Sequence, residues 1–210
     1  MIKRLRNDTQ TYIPAVVVSE ECDKTVCNQY KVWHVTQNNH PVTEKFNRAF
    51  QYMKGQNVDA VMITGSDDIF STRFYEATLA QVNNDIDVVG INSLYFYAGD
   101  GQSRGQMVKL VRAPETPLLG TGKTVSKRVL DQCDWRLWNQ QRNWGMDAIA
   151  SKTINQYTKS RVAIDEMLVD VKTRTNLNSF NVWGKRLPQI PAQRFYEILS
   201  EEELQILKSL

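Results

Sequence analysis

The chain has 210 residues, of which 41% are hydrophobic and 23% charged, and its formal net charge at pH 7 is +3. This composition excludes a disordered or membrane-spanning chain, and the length suits one α/β domain with a substantial core. Residues 1–8 are basic but lack the apolar stretch of a signal peptide. We therefore predict a cytoplasmic protein with no membrane partner, whose small positive charge permits a polyanionic partner without requiring one.

The first half of the chain alternates between strand and helix patterns. Short apolar runs predict strands at residues 13–19, 31–35, 60–63 and 88–92. Helices are predicted between these strands, at residues 21–29, 46–53 and 75–82, and Gly55 is expected to end the second of them. This alternation predicts an α/β fold whose sheet is mainly parallel and flanked by helices.

The second half of the chain has a different pattern. Residues 94–98 and 107–111 flank a turn-rich connection and predict a small hairpin. Ser200 and Glu203 have the spacing of a capping box, which predicts the start of a C-terminal helix. Between these features we predict two helices and then a strand, near residues 126–133, 147–157 and 166–171.

Asp67 and Asp68 follow the apolar run at residues 60–63, directly after Gly65 and Ser66 interrupt it. The carboxyl ends of strands form the ligand crevice of open α/β folds, so these acids are expected to face a ligand. Adjacent carboxylates repel each other, and a hard cation such as Mg²⁺ or Mn²⁺ relieves that repulsion while bridging to substrate phosphates. A helix N-terminus is the alternative interpretation, because Asp and Ser are favoured caps.

At Ser66, Asp67 and Asp68 the sequence resembles the GT-A glycosyltransferases, whose metal motif often reads Asp-Ser-Asp-Asp after an apolar strand. Gly65 stands where that motif has its first acid, the position that normally contacts ribose. The resemblance covers residues 10–175. It implies an enzyme that uses Mn²⁺ or Mg²⁺, held by Asp67 and Asp68, to transfer a hexosyl or pentosyl group. The donor would be a nucleoside-diphosphate sugar, a UDP-sugar above all, and the acceptor a hydroxyl group.

The same resemblance implies a single domain, residues 1–210, in which 10–92 bind the nucleotide sugar, 93–175 bind the acceptor and 176–210 form an extension. It also implies donor contacts from the end of the first strand, from the second predicted helix and from the motif itself: Ser19, Glu20, Lys45, Asn47, Ser66 and Asp67. Some members use a late histidine as a further metal ligand. This chain has none, so Asp165, Asp170 or water is expected in its place.

Residues 120–124 read Gly-Thr-Gly-Lys-Thr, which invites comparison with a phosphate-binding P-loop. That motif requires a glycine five residues before the Gly-Lys pair, where this chain has Pro117, so we reject the P-loop interpretation. The segment instead resembles the GT-A loop that leads into the acceptor-side helix, where Gly120 and Gly122 would let backbone approach the donor sugar. A surface loop before a capped helix is the alternative.

Asp147 lies at a predicted helix start, shortly after Trp144. In inverting GT-A enzymes a carboxylate near this point removes the proton of the acceptor hydroxyl, so the resemblance implies that Asp147 is the general base. A plain N-cap role is the alternative. Trp144 is expected to be partly exposed and to stack on the acceptor, whereas Trp135 or Trp138 is expected in the core.

The acceptor is predicted only by analogy. The chain is similar to phage-type enzymes in its small size, its mild basicity and its many Asn, Gln and Lys residues. This similarity suggests that the acceptor is a modified base in DNA and that the protein acts in the host cytoplasm. A saccharide or protein acceptor is the alternative. A sugar-nucleotide nucleotidyltransferase is the second enzyme class, but it usually carries a Gly-rich basic loop where this chain has Ser19 and two glutamates. A non-enzymatic binding module is the third interpretation.

Overall fold

The computed structural model describes residues 16–174, 176 and 179–209, so the predicted start of the first strand at residue 13 lies outside the described residues. Its strands are β1 (Val16–Ser19), β2 (Trp33–Thr36), β3 (Ala60–Met62), β4 (Asp68–Phe70), β5 (Val88–Gly90), β6 (Ser93–Ala98), β7 (Met107–Val111), β8 (Thr124–Ser126), β9 (Arg161–Ala163), β10 (Leu168–Lys172) and β11 (Gln189–Ile190). Its helices are α1 (Lys24–Gln29), α2 (Val42–Lys54), α3 (Thr72–Asn83), α4 (Lys127–Gln132), α5 (Met146–Asn155), α6 (Phe180–Gly184), α7 (Gln193–Glu197) and α8 (Glu201–Ser209).

The strands form three hydrogen-bonded sets, in the orders β1-β2, β3-β8-β5-β9 and β11-β7-β6-β10-β4. The predicted α/β class, with helices flanking the sheets, is confirmed. Mainly parallel pairing was the wrong expectation, because three of the described ladders are parallel and five are antiparallel. One reason is β8, a strand that the sequence did not reveal, which lies between β3 and β5 and runs antiparallel to both.

Two predicted local features of the second half are present. The hairpin consists of β6 and β7, which pair antiparallel along their length. The capping box begins α8: the backbone N–H of Ser200 donates to Glu203 Oε2 at 2.9 Å, and the N–H of Glu203 donates to Ser200 Oγ at 3.2 Å. These reciprocal bonds satisfy two of the donors that a helix start leaves unpaired.

Three clusters of buried apolar side chains hold the elements together. The first packs α2, α4 and α5 against β8 and includes Trp135 and Trp138, so the core placement expected for at least one of them is confirmed. The second packs α3 against β5 and β6. The third packs Phe195 and Leu207 of the C-terminal helices against β7 and β10. The C-terminal segment is therefore bound to the same sheet that carries β4.

Candidate active site

Asp67 lies between β3 of one sheet and β4 of another, and Asp68 is the first residue of β4. The antiparallel ladder of β4 with β10 places Asp68 directly opposite Asp170, so both side chains project from the same face. Oxygen atoms of Asp67, Asp68 and Asp170 lie within 4.8 Å of one another. The following helix α3 is capped by Ser71, whose Oγ accepts from the N–H of Phe74 at 3.2 Å. The capping alternative therefore does not explain the paired acids.

Asp68 is the most deeply buried of the three acids, with 3% of its surface exposed. Its Oδ2 accepts hydrogen bonds from the backbone N–H of Gly65, at 2.5 Å, and from the Thr121 hydroxyl. Burial raises the pKa of Asp68, and these two hydrogen bonds oppose that shift. A Cβ atom on Gly65 would lie 2.5 Å from Asp67 Oδ1. The glycine that replaces the first acid of the motif thus lets the turn close around both carboxylates.

Asp170 is 9% exposed and presents one unsatisfied oxygen. Its Oδ2 pairs with Lys172 Nζ at 2.6 Å, while its Oδ1 is buried and has no hydrogen-bond partner among the described residues. Burial is the main cause that raises the pKa of Asp170 to about 7; Lys172 opposes the shift, and the charges of Asp67 and Asp68 add to it. A buried carboxylate oxygen without a donor is costly, and a cation is a partner that would satisfy it.

The cluster fits a hard divalent cation. Three ionised carboxylates and the Lys172 ammonium sum to two negative charges, which Mn²⁺ or Mg²⁺ would balance with the oxygen ligands that these ions prefer. Asn176 donates from its side-chain amide to Asp67 and orients that carboxylate. Asp67, Asp68 and Asp170 would therefore hold the ion. Asp165, the other acid considered for this role, is exposed and lies outside the cluster.

The raised pKa of Asp170 predicts a pH dependence of stability in the metal-free protein. The pKa of this aspartate is 3.8 in the unfolded chain and is raised to about 7 in the folded protein. Between these two pH values the native state therefore binds more protons than the unfolded state. The free energy of unfolding should therefore fall as the pH rises through this window. Mn²⁺ or Mg²⁺ binds the ionised carboxylates, so the rise in melting temperature on adding either ion should be larger at pH 8 than at pH 5.

The matched control is Asp170→Asn, which keeps the shape of the side chain but cannot titrate. Unfolding should be followed by urea titration at several pH values in both proteins, and the difference between them isolates Asp170 from other ionisable groups. If the free energy of unfolding changes with pH in the same way in the parent protein and in Asp170→Asn, the prediction is contradicted.

Asp147 lies in the first turn of α5, and the N-cap of this helix is Gly145. The carboxylate of Asp147 does not cap its own helix. It accepts a hydrogen bond from the backbone N–H of Gly120 at 3.2 Å, and Arg112 Nη2 lies 3.8 Å from the same oxygen. A Cβ atom on Gly120 would lie 1.9 Å from Asp147 Oδ1, so only glycine permits this approach. The side chain of Asp147 remains 45% exposed, which leaves it open to a substrate.

One cleft of about 1790 Å³ connects the acidic cluster with Asp147. This volume exceeds that of typical small-ligand sites and would accommodate a donor together with an acceptor. Asp67, Asp68 and Asp170 line the cleft together with Asp147 and Gly120. Residues 198–203, which include the start of α8, also border it. The cleft is therefore enclosed by both halves of the chain and by the C-terminal segment.

The residues predicted to contact the donor divide into two groups. Ser19, Lys45 and Ser66 line the cleft with Asp67, whereas Glu20 is exposed and lies outside the cleft lining. Lys45 Nζ donates to Asn39 Oδ1 at 2.8 Å, and burial lowers the pKa of this lysine while nearby acids oppose the shift.

Asn47 was expected to contact the nucleotide, but the structure gives its side chain a structural role. It is 2% exposed, its Nδ2 donates to the carbonyl oxygen of Trp138 at 2.7 Å, and its Oδ1 accepts from the N–H of Trp138 at 3.2 Å. Both ends of the amide are thereby occupied. Asn47 connects α2 to the segment that follows α4.

We expect Asn47→Ala to destabilise the fold by about 2 kcal/mol, because two buried backbone groups lose their partners. Nucleotide binding by the folded fraction should be unchanged, since the side chain does not face the cleft. Urea unfolding and a nucleotide titration below the melting temperature measure the two effects. Weakened nucleotide binding without loss of stability would restore the original interpretation.

Two residues predicted to contact the acceptor are also placed elsewhere. Gly122 has a φ of +72°, and a Cβ atom there would lie 2.8 Å from both Leu168 and Phe74, so this glycine faces the core. Trp144 is 71% exposed, with the Arg142 guanidinium 5.1 Å from its ring centre, and it is absent from the cleft lining in the described part of the chain. Only Gly120 of the predicted acceptor group borders the cleft.

Several cleft residues were not identified from the sequence. Thr121 and Lys172 contact the acidic cluster, and Lys123 lies in the cleft wall. Tyr30, which is 37% exposed, lines the same cleft as Ser19 and offers an aromatic face. Of these residues, only Lys172 could have been predicted from the local sequence. It lies two residues after Asp170 on the same strand, so the two side chains project from the same face.

No protein-family model and no curated protein matches the chain. Among solved structures, the fold is similar to the crystal structure of residues 1–349 of TarS from S. aureus, a glycosyltransferase, with a TM-score of 0.55 and 15% sequence identity. The match covers 81% of this chain and 56% of that chain, so this chain spans little more than half of the TarS structure. At this identity the similarity shows the fold alone, a mixed α/β fold in which helices flank the sheets.

None of the helices in the described part of the chain has the length and apolarity needed to cross a membrane.

Proposed function

We propose that the protein is a metal-dependent glycosyltransferase that moves a hexosyl or pentosyl group from a nucleoside-diphosphate sugar to an acceptor hydroxyl. The observation that carries this proposal is the β4–β10 register, which sets Asp68 opposite Asp170 beside Asp67 in a cleft that also contains Asp147. The similarity of the fold to that of TarS, a glycosyltransferase, supports the same conclusion. A binding module without catalysis would have no evident use for three carboxylates whose oxygens lie within 4.8 Å of one another.

The chemistry follows from the residues that line the cleft. Asp67, Asp68 and Asp170 would hold Mn²⁺ or Mg²⁺. When bound, such an ion supplies Lewis-acid stabilisation of the negative charge that develops on the leaving diphosphate. Asp147 accepts the proton of the acceptor hydroxyl. At the same time the oxygen of that hydroxyl bonds to the anomeric carbon, and the bond between the anomeric carbon and the diphosphate breaks. Attack from the side of Asp147, opposite the leaving group, inverts the anomeric configuration.

For the donor we propose a UDP-sugar. Ser19, Tyr30 and Lys45 border the cleft on the β1 side, where Tyr30 would stack on the nucleobase and Lys45 would approach the phosphates. Ser66 extends this wall to the metal cluster. The protein would act in the cytoplasm, where nucleotide sugars are available to it.

For the acceptor, a hydroxyl on a modified DNA base remains a candidate from the resemblance to phage-type enzymes. A saccharide or protein acceptor is the second candidate, and one observation favours it. Glu201, Glu202 and Glu203 border the cleft, and their charges would repel a phosphate backbone. Activity that falls steeply with added salt would indicate DNA, whereas transfer to a neutral sugar that salt leaves unchanged would indicate a saccharide.

The test of the general proposal is a panel of nucleoside diphosphates and nucleotide sugars, each added with and without Mn²⁺ or Mg²⁺, with the melting temperature as readout. A specific ligand of the native state raises the melting temperature by mass action. We expect uridine nucleotides to stabilise the protein only when the metal is present. Failure of every nucleotide sugar to stabilise it, with either ion, would overturn the proposal.

A further inference from the structure

The loop at residues 120–123 binds two acids of the cleft through neighbouring residues. The backbone N–H of Gly120 donates to Asp147 Oδ2 at 3.2 Å, and the hydroxyl of the next residue, Thr121, donates to Asp68 Oδ2. All four residues line the cleft. Two consecutive donors therefore hold the proposed base and a proposed metal ligand, so this loop binds carboxylates of the protein where a P-loop would bind phosphates.

Backbone hydrogen bonds fix the position of Thr121. On its C-terminal side, the N–H of Gly122 donates to the carbonyl oxygen of Ile63 at 2.8 Å, and the N–H of Ile63 donates to the carbonyl oxygen of Lys123 at 2.9 Å. Ile63 directly follows β3, the strand that leads to the acidic cluster. A side chain on a backbone held in this way is preorganised to meet Asp68.

The hydrogen bonds of the Asp68 carboxylate fall on one of its two oxygens. Oδ2 accepts from the N–H of Gly65 at 2.5 Å and from the Thr121 hydroxyl, and the Thr64 hydroxyl lies 3.4 Å from the same oxygen. The other oxygen, Oδ1, accepts no hydrogen bond from the residues that the structure describes. Donors from the local turn and from a distant loop thus fix the rotation of the carboxylate and leave Oδ1 for another partner.

Thr121 is the donor that comes from outside the turn. Gly65 and Thr64 are three and four residues before Asp68, whereas Thr121 is 53 residues after it. The Thr64 hydroxyl also lies 3.2 Å from the carbonyl oxygen of Gly65, so two acceptors share its single proton. Asp68 is the one acceptor described for the Thr121 hydroxyl. The bond from Thr121 therefore attaches the most buried acid of the cluster to a separate, fixed part of the cleft.

We propose that Thr121 is a positioning residue for the metal site: its hydroxyl orients the Asp68 carboxylate so that one oxygen is left for a divalent cation. Through Gly120, the same loop holds Asp147 relative to that carboxylate. This inference rests on the proposed metal-dependent function. It assigns residues 120–121 to the acids of the site and requires no contact of this loop with the donor phosphates.

The test measures Mn²⁺ affinity by isothermal titration in variants that separate the hydroxyl of Thr121 from its methyl group. Thr121→Val keeps the shape of the side chain without the hydroxyl. Its Mn²⁺ affinity should fall by about ten- to a hundredfold, the loss typical of removing a group that orients a metal ligand. Thr121→Ser keeps the hydroxyl and should bind Mn²⁺ nearly as the parent does.

Thr153→Val is the matched control. Thr153 is half-buried like Thr121, but it lies outside the cleft lining and its hydroxyl donates to the carbonyl oxygen of Ile149 in its own helix. This variant also exchanges a hydroxyl for a methyl group, and its Mn²⁺ affinity should equal that of the parent.

Thr121→Ala guards against a folding defect, because Val places a methyl group against a buried carboxylate and Ala does not. It should lose Mn²⁺ affinity as Thr121→Val does, and melting temperatures without metal show that each variant is folded. Turnover of both variants should be low at low Mn²⁺ and should recover at saturating Mn²⁺. A damaged fold would instead lower turnover at every Mn²⁺ concentration.

Parent-like Mn²⁺ affinity in Thr121→Val and Thr121→Ala would overturn the inference and leave the proposed function in place. An equal loss of affinity in Thr121→Ser would also overturn it, because the methyl group would then be the cause. Failure of the parent protein to bind Mn²⁺ or Mg²⁺ would overturn the metal site itself, and the role of Thr121 with it.

Discussion

Asp68→Asn is expected to abolish sugar transfer while the protein remains folded. Asn has the shape of Asp, and its side-chain oxygen still accepts from Gly65 and Thr121, but it supplies no negative charge to the cluster. Loss of a group that merely orients a metal ligand costs about ten- to a hundredfold in metal affinity, so removal of a ligating carboxylate should cost more. Asp67→Asn should be less severe, because Asp67 is more exposed than Asp68.

Isothermal titration with Mn²⁺ measures the loss of metal affinity in these variants. A second measurement is the rise in melting temperature that a nucleoside diphosphate causes when Mn²⁺ is present. Asp165→Asn, at an exposed acid outside the cluster, is the matched control and should bind metal as the parent does. Retention of Mn²⁺-dependent nucleotide binding in the double variant at Asp67 and Asp68 would refute the metal site.

Asp147→Asn is expected to bind donor normally and yet to turn over about a hundred to ten thousand times more slowly, the loss typical of a missing general base. Donor binding should persist because the side chain keeps its hydrogen bond with Gly120 and is not part of the acidic cluster. Comparison of turnover at saturating donor with the donor dissociation constant separates the two effects. Asp85→Asn, an exposed acid after α3, is the control for the loss of one negative charge. Near-normal turnover of Asp147→Asn would remove the base assignment.

The sequence predicted those features that depend on local pattern. Alternating apolar runs gave the α/β class. They also predicted the strand that precedes the two acids, but they did not reveal that Asp68 begins a further strand, β4, in a different sheet. The capping box of α8 was also predictable from local pattern. Asp147 was correctly placed at a helix start, although its partners Gly120 and Arg112 were not predictable.

Other features depended on pairing between distant parts of the chain. Asp170 joins Asp68 only through the register of β4 with β10, which no local pattern specifies. The strand β8 has three residues and follows a glycine-rich loop, so it lacked the length that identifies a strand. Asn47 was misassigned because an amide that bonds to backbone and an amide that contacts a ligand look identical in sequence.

The β4–β10 ladder also bears on how the protein reaches its folded state. Three residues beginning at Asp68 form a sheet edge whose partner is made about a hundred positions later in the chain. Contacts of such large separation form slowly, because the intervening loop must be closed before the pairing stabilises it. The nascent chain therefore cannot complete β4 until β10 has been synthesised. The acidic cluster is therefore assembled late, and the two halves of the chain are not separable folding units, because each contributes one strand of this ladder.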